Sequence, residues 1–152
     1  MRVLTVCLGN ICRSPTAEAA IREAALDAGL DLEVDSAGTG DWHIGERPDA
    51  RMRAAAADVG LELTGRARQV EPDDLRTFDL VVAMDRDNLA VLRGLDVDDA
   101  RLALFRRWDP EVPAGTDADV PDPYYGGADG FAEVVEIARR TARALVDDLG
   151  DR

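Results

Sequence analysis

A chain of 152 residues lies within the range of one compact domain, and no stretch reaches the roughly 18 consecutive apolar residues that a membrane-crossing helix needs. Its 18 Lys and Arg against 31 Asp and Glu leave a net charge of −13, which repels nucleic-acid backbones and anionic lipid, so neither is expected as a partner. The opening Met1-Arg2-Val3-Leu4-Thr5-Val6-Cys7 lacks the apolar segment and small-residue cleavage site of a secretory signal, which points to the cytoplasm.

The apolar run Val3, Leu4 and Val6 suits a buried central strand of a parallel sheet, with Cys7 at its C-terminal end. A helix is expected next, with Ser14 as N-cap, Pro15 at the first helical position, an apolar face of Ala17, Ala20, Ile21, Ala24 and Ala28, and Gly29 as the stop. Leu32 and Val34 predict a second strand followed by a Ser36–Gly40 loop; Asp49–Val59 reads as an alanine-rich helix ending at Gly60. Asp79–Met84 predicts a third strand, Asn88–Leu92 a short helix, and Leu102–Phe105 a fourth strand. Trp108–Gly130, rich in proline, glycine and aspartate, reads as a long ordered loop, a place where compact domains often carry function.

A final helix carries the apolar stripe Phe131, Val134, Val135, Ala138, Ala142, Leu145 and Leu149, with Arg139, Arg140 and Arg143 expected mostly in solvent. The acidic run Asp96–Asp99 and the terminal Asp147, Asp148 and Asp151 read as solvated faces. Such alternation predicts an α/β fold: a four-stranded parallel sheet with helices on both faces, binding its ligand outside the C-terminal ends of the strands.

The segment Cys7-Leu8-Gly9-Asn10-Ile11-Cys12-Arg13-Ser14 joins the first strand to the first helix. Backbone N–H groups in such a turn converge at the positive end of the helix, where an anion is stabilised. Gly9 and Asn10 tolerate the left-handed angles that curl amides inward. Arg13 adds a permanently charged planar fork that grips two phosphate oxygens at once. In that field the Cys7 sulfur is expected as a thiolate, a soft nucleophile facing phosphorus. Against this stands the plain reading of Cys7 as an inert core cysteine. His43 is the single histidine, and with no Cys-x-x-Cys pair the chain has no zinc-ligand spacing, so no metal and no cofactor are expected.

Cys7 to Ser14 has the form C-x-x-x-x-x-R-[ST] and resembles the nucleophilic loop of the low-molecular-weight protein tyrosine phosphatases, here continued by Pro15-Thr16-Ala17-Glu18. Asp122-Pro123-Tyr124-Tyr125-Gly126-Gly127 is similar to that family's general-acid loop, and Trp42, Ser36–Thr39 and Phe78–Asp85 also look like family segments. The resemblance implies one phosphatase domain over residues 1–152, acting as a monomer on tyrosine-phosphorylated protein. It implies Cys7 as nucleophile, Asp122 as acid and then base, and Arg13 with the loop residues Leu8, Gly9, Asn10, Ile11, Cys12 and Ser14 holding phosphate or another oxyanion.

Asp117 and Asp119 compete with Asp122 in the same loop, and only the following Pro-Tyr-Tyr singles Asp122 out. Trp42, Tyr124 and Tyr125 either line a slot for the phosphotyrosine ring or pin the loop. Ser14 either caps the helix or donates to the Cys7 sulfur. Asn10 and Ser36 are expected to brace the loop, Asp85 to support Arg13, and His43 to support Trp42. Cys12 either forms a reversible disulfide with Cys7 or simply packs. Two rivals are an arsenate reductase of the same fold, which relays electrons through further downstream cysteines, and a phosphate-dependent binding module. A cysteine hydrolase acting on acyl groups would require His43 as its base.

Overall fold

The computed structural model describes residues 1–95 and 98–152, so Asp96 of the acidic run lies outside the described residues. Strands β1 (Arg2–Cys7), β2 (Glu33–Gly38), β3 (Leu80–Ala83) and β4 (Leu102–Leu104) form one parallel sheet in the order β2-β1-β3-β4. Five α-helices accompany them among the described residues: α1 (Arg13–Asp27), α2 (Ala50–Ala57), α3 (Asp74–Thr77), α4 (Arg86–Arg93) and α5 (Ala128–Gly150).

Alternation along the strands assigns the layers. Val3, Cys7, Leu80 and Val82 pack with α1 and α5 side chains such as Ile21, Val134 and Leu145. Leu4, Val6, Val81 and Ala83 face the opposite way, against Leu75, Leu89 and Leu92 of α3 and α4. Both faces of the sheet are therefore covered, which is why β3 and β4 are continuous apolar runs. The chain moves from β1 outward to β2 and then back across to β3, so the crevice beyond the C-terminal ends of β1 and β3 is the topological switch point. Cys7 ends one of those strands and Met84-Asp85 follows the other.

Several local expectations need correction. Ser36-Ala37-Gly38 belongs to β2 rather than to a loop, because it pairs with Thr5-Val6-Cys7 of β1, and on its other edge Gly38 N–H donates to the Arg68 carbonyl at 2.8 Å and Val70 N–H to the Gly38 carbonyl at 2.8 Å. Helix α1 starts at Arg13, with Cys12 rather than Ser14 in the cap position. Ala28 is exposed, beyond the end of α1. Phe105 leaves the sheet for a 3-10 turn, Phe105–Trp108, and α3 had no apolar periodicity to announce it. Asp148 accepts the Trp108 indole N–H at 2.9 Å, so it is no free surface carboxylate, whereas Asp98, Asp99, Asp147 and Asp151 are exposed as expected, Asp99 in a surface pair with Arg93.

Arg139 and Arg140 do not simply face solvent, since Arg139 pairs with Glu23 and Arg140 holds Asp109. The Asp109 carboxylate is fully buried and takes Arg140 at 2.9 and 3.2 Å, Arg106 at 2.9 Å and the Glu111 N–H at 2.9 Å. Burial pushes this carboxyl up, but the Arg140 bond, the Glu111 N–H and Arg106 together outweigh it and hold Asp109 below the ordinary carboxylate range. A depressed folded-state value stabilises the fold fully above the unfolded pKa of about 3.9 and is lost as pH falls through the folded value. Asp109→Asn should therefore cost about 3 kcal/mol at neutral pH, because Arg106 and Arg140 lose the buried charge they share, Arg140 keeping Glu111 and Arg106 keeping the Asp119 carbonyl. Urea midpoints of the two proteins should converge as the pH drops below that carboxylate value; a gap independent of pH would refute the assignment.

Candidate active site

Between β1 and α1 the backbone makes a bowl, and its carbonyls are turned outward by named donors. Thr39 N–H binds the Cys7 carbonyl at 2.9 Å, Gly40 N–H that of Leu8 at 2.9 Å, and Asp49 N–H that of Ile11 at 2.8 Å; the Thr16 hydroxyl binds that of Cys12 at 2.8 Å. Among the described residues no protein acceptor takes the N–H of Gly9, Ile11, Cys12 or Arg13. Buried donors left without acceptors are costly, and a cluster of them at a helix N-terminus is a site for an anion. Gly38 makes the close packing possible: a Cβ there would stand 2.8 Å from the Leu8 carbonyl oxygen.

Asn10 alone among the described non-glycine residues adopts a left-handed backbone, with φ of 57°. Its buried amide fixes that turn, donating to Ser14 Oγ at 2.9 Å and Ser36 Oγ at 3.0 Å and accepting from Arg68 N–H at 3.0 Å. Gly9 is not left-handed as expected; its lack of a side chain instead admits the His43 ring, whose Cδ2 would lie 3.1 Å from a Cβ. Cys7 is 3% exposed, with Sγ 2.9 Å from Ser14 Oγ and 3.3 Å from the Asn10 N–H. Because Asn10 already donates to Ser14 Oγ, the Ser14 hydroxyl proton is free to point at the sulfur.

Arg13, only 4% exposed, donates through Nη1 to Asp85 at 2.6 Å and to the Val120 carbonyl at 3.1 Å. Its other nitrogen Nη2 stands 3.8 Å from the Asp122 carboxylate. Burial works against this guanidinium's charge, but Cys7 and Asp85 more than offset it and keep Arg13 cationic. Asp85 is itself anchored by the Asn88 N–H at 2.7 Å, at the start of α4. Of the competing loop aspartates, Asp119 is engaged by Arg86 at 2.9 and 3.2 Å, and Asp117 borders a separate cleft beside β4. Of these three aspartates, Asp122 is therefore the one whose carboxylate stands near Arg13, its Oδ1 accepting the Tyr124 N–H at 3.1 Å.

Cys7, Arg13, Asp122, Trp42, Tyr124 and Tyr125 share one pocket of about 430 Å³. Trp42 and Tyr125 form its exposed rim, the indole lying across Gly40. Tyr124 meets Tyr125 edge-on at 5.0 Å between ring centres. His43 does not brace Trp42: its Nδ1 pairs with Glu46 and its ring faces Tyr124 at 6.2 Å. Cys12 is buried and free, and burial first, then Asp49, Cys7 and Asp122, pushes its thiol up to about 12. Among the described residues no group of three or more His, Cys, Asp or Glu is arranged to hold a metal.

The profile of the low molecular weight phosphotyrosine protein phosphatase family matches residues 2–152. A low molecular weight protein-tyrosine-phosphatase of Streptomyces coelicolor is 50% identical over 150 residues, covering 95% of this chain and 91% of that protein. The solved structure of a protein tyrosine phosphatase from Entamoeba histolytica superposes with a TM-score of 0.93 at 34% identity, over 99% of this chain and 97% of its own. YfkJ from Bacillus subtilis superposes at 0.90 with 36% identity, over 99% and 95%. The chain belongs to this phosphatase family.

In this phosphatase-family chain, sequence reading overlooked several residues that shape the pocket. Arg68 supplies a backbone N–H to Asn10 and a side chain bridging Asp35 and Asp74. Val120 supplies a carbonyl to Arg13, and its own N–H binds the Met84 carbonyl at 2.8 Å, tying the Asp122 loop to the end of β3. Asp49 was legible as the start of an alanine-rich helix, but neither its capping of that helix nor its bond to the Ile11 carbonyl was.

Proposed function

We propose that this chain hydrolyses phosphotyrosine in protein substrates through a cysteinyl-phosphate intermediate. What carries the reading is the buried Cys7 sulfur beneath unpartnered amides, in one pocket with the Arg13 guanidinium and the Asp122 carboxyl. In the first step the thiolate attacks phosphorus in line and the bond to the aryl oxygen breaks. Asp122 gives its proton to the departing phenolate, whose parent tyrosine has a pKa of about 10 and leaves poorly unprotonated. Arg13 and the amides hold the three equatorial oxygens as charge spreads over them. In the second step Asp122 takes a proton from water, the oxygen bonds to phosphorus, and sulfur leaves with the Ser14 hydroxyl donating to it.

Trp42, Tyr124 and Tyr125 stack the substrate ring, and the depth they add disfavours the shorter phosphoserine. Residues 1–152 act as a single phosphatase domain and as a monomer, its net charge of −13 opposing self-association. The cytoplasm suits a thiol nucleophile that must stay reduced, and no described helix is long and apolar enough to cross a membrane. Cys12 is the thiol that answers oxidative damage: once peroxide converts Cys7 to a neutral sulfenic acid, the part of the Cys12 elevation that comes from Cys7 is relieved, and the Cys12 sulfur displaces the sulfenic oxygen as water while a disulfide forms. Arsenate reduction would call for cysteines beyond Cys12, and the sequence has none.

The test is hydrolysis of phenyl phosphate in the presence of chelator, with a phosphoserine peptide as control. Turnover of the ester and not of the peptide is expected, and Asp122→Ala should slow it about 10²–10⁴-fold without abolishing it. Metal dependence, or equal rates on phosphoserine, would end this reading.

A further inference from the structure

Arg51 does not line the catalytic pocket, yet it touches both loops that build it. The edge of its guanidinium holds both oxygens of Asp49, Nε at 3.1 Å and Nη2 at 2.9 Å. Asp49 in turn donates its backbone N–H to the Ile11 carbonyl of the nucleophile loop at 2.8 Å. The central carbon Cζ of the same guanidinium lies over two aromatic rings, 5.3 Å from the centre of Tyr124 and 4.8 Å from that of Phe131. Tyr124 donates its N–H to Asp122, and Phe131 is buried in the first turn of α5. A planar cation serves both purposes at once, because hydrogen bonds in its plane leave its faces free for aromatic rings.

The loop that carries Asp122 has no regular structure of its own. Tyr125 is 95% exposed and anchors nothing, so Tyr124 is the aromatic through which that loop is held. We propose that Arg51 is a positioning residue for proton transfer: it clamps the Asp122 loop to the nucleophile loop through Tyr124 and Asp49. This rests on the phosphatase reading and adds a determinant of how the acid is aligned. Arg51 is half exposed, and the Asp49 cap on the backbone N–H groups of Arg51 and Met52 survives its replacement, so variants should fold.

The experiment compares two esters, phenyl phosphate, whose leaving group needs a proton, and p-nitrophenyl phosphate, whose leaving group departs readily without one. Arg51→Met keeps an apolar stem against the rings and deletes fork and charge. It should lower kcat/KM on phenyl phosphate about tenfold, the scale on which small misplacements act, and leave the nitrophenyl ester within about twofold. Arg51→Lys keeps a charge without the fork and should fall between, and it carries the same comparison if the methionine variant melts early. In an Asp122→Ala background Arg51→Met should have no further effect, since no acid remains to be aligned. Equal losses on both esters, no loss on either, or an additive loss in that background would overturn the role of Arg51. A wild-type chain inactive on both esters would instead overturn the phosphatase reading itself.

Discussion

Cys7→Ser should lower turnover of an aryl phosphate by about 10⁵-fold or more, the scale seen when a covalent nucleophile is removed, while leaving the binding of inorganic phosphate intact. The substitution swaps sulfur for a smaller oxygen at a site 3% exposed, so it neither opens a large cavity nor disturbs the bowl. The outward-turned carbonyls are fixed by Thr39, Gly40, Asp49 and Thr16, none of which depends on the sulfur. What changes is the nucleophile: a serine hydroxyl is almost wholly protonated at neutral pH, and the carboxylate and imidazole among the described residues of the pocket are the exposed Asp122 and the Glu46-paired His43. Initial rates give the first quantity and phosphate titration by calorimetry the second. Activity within a hundredfold of wild type would show that another group attacks phosphorus.

The second large effect belongs to Arg13→Lys, for which kcat should fall by about 10³-fold, within the range that arginines contribute at phosphoryl-transfer centres. Charge is retained in this variant, so the loss reports geometry. Nη1 is engaged by Asp85 at 2.6 Å and Val120 at 3.1 Å, which sets the guanidinium plane and leaves the rest of the fork for the substrate. A lysine ammonium that pairs with Asp85 has no second planar donor to offer a phosphate oxygen. Single-turnover rates with p-nitrophenyl phosphate separate this from any failure of proton donation. A lysine variant within tenfold of wild type would mean that charge alone suffices and that the Asp85 contact is incidental to catalysis.

Much of the fold was legible because its central strands are short apolar runs, unbroken in Leu80 to Ala83 and interrupted by Thr5 alone in Val3 to Val6, and α5 carries a full apolar stripe. Ser36-Ala37-Gly38 misled because small residues that signal turns in isolation here permit a strand to lie against the bowl, a reason that exists only once Leu8 is beside Gly38. Ser14 misled similarly: a helix-capping residue type is spent on a sulfur contact instead. Arg139 and Arg140 looked like solvent-facing charges, and partners on other elements, Glu23 and Asp109, draw them in.

The anion bowl was legible in the sequence because it is contiguous: eight residues from Cys7 to Ser14 carry their own donors and charge between a strand and a helix, while its final shape is held by Thr39, Gly40, Asp49 and Arg68 from elsewhere in the chain. Tertiary structure decided the rest. Asp85 lies 72 positions from Arg13, and Arg68 reaches Asn10 across 58. The choice of Asp122 over Asp119 followed from which of them Arg86 had already engaged. Spacing encodes only neighbours along one element, whereas a charge pair or a stacked cation is selected by how the sheet brings separate loops to its C-terminal edge.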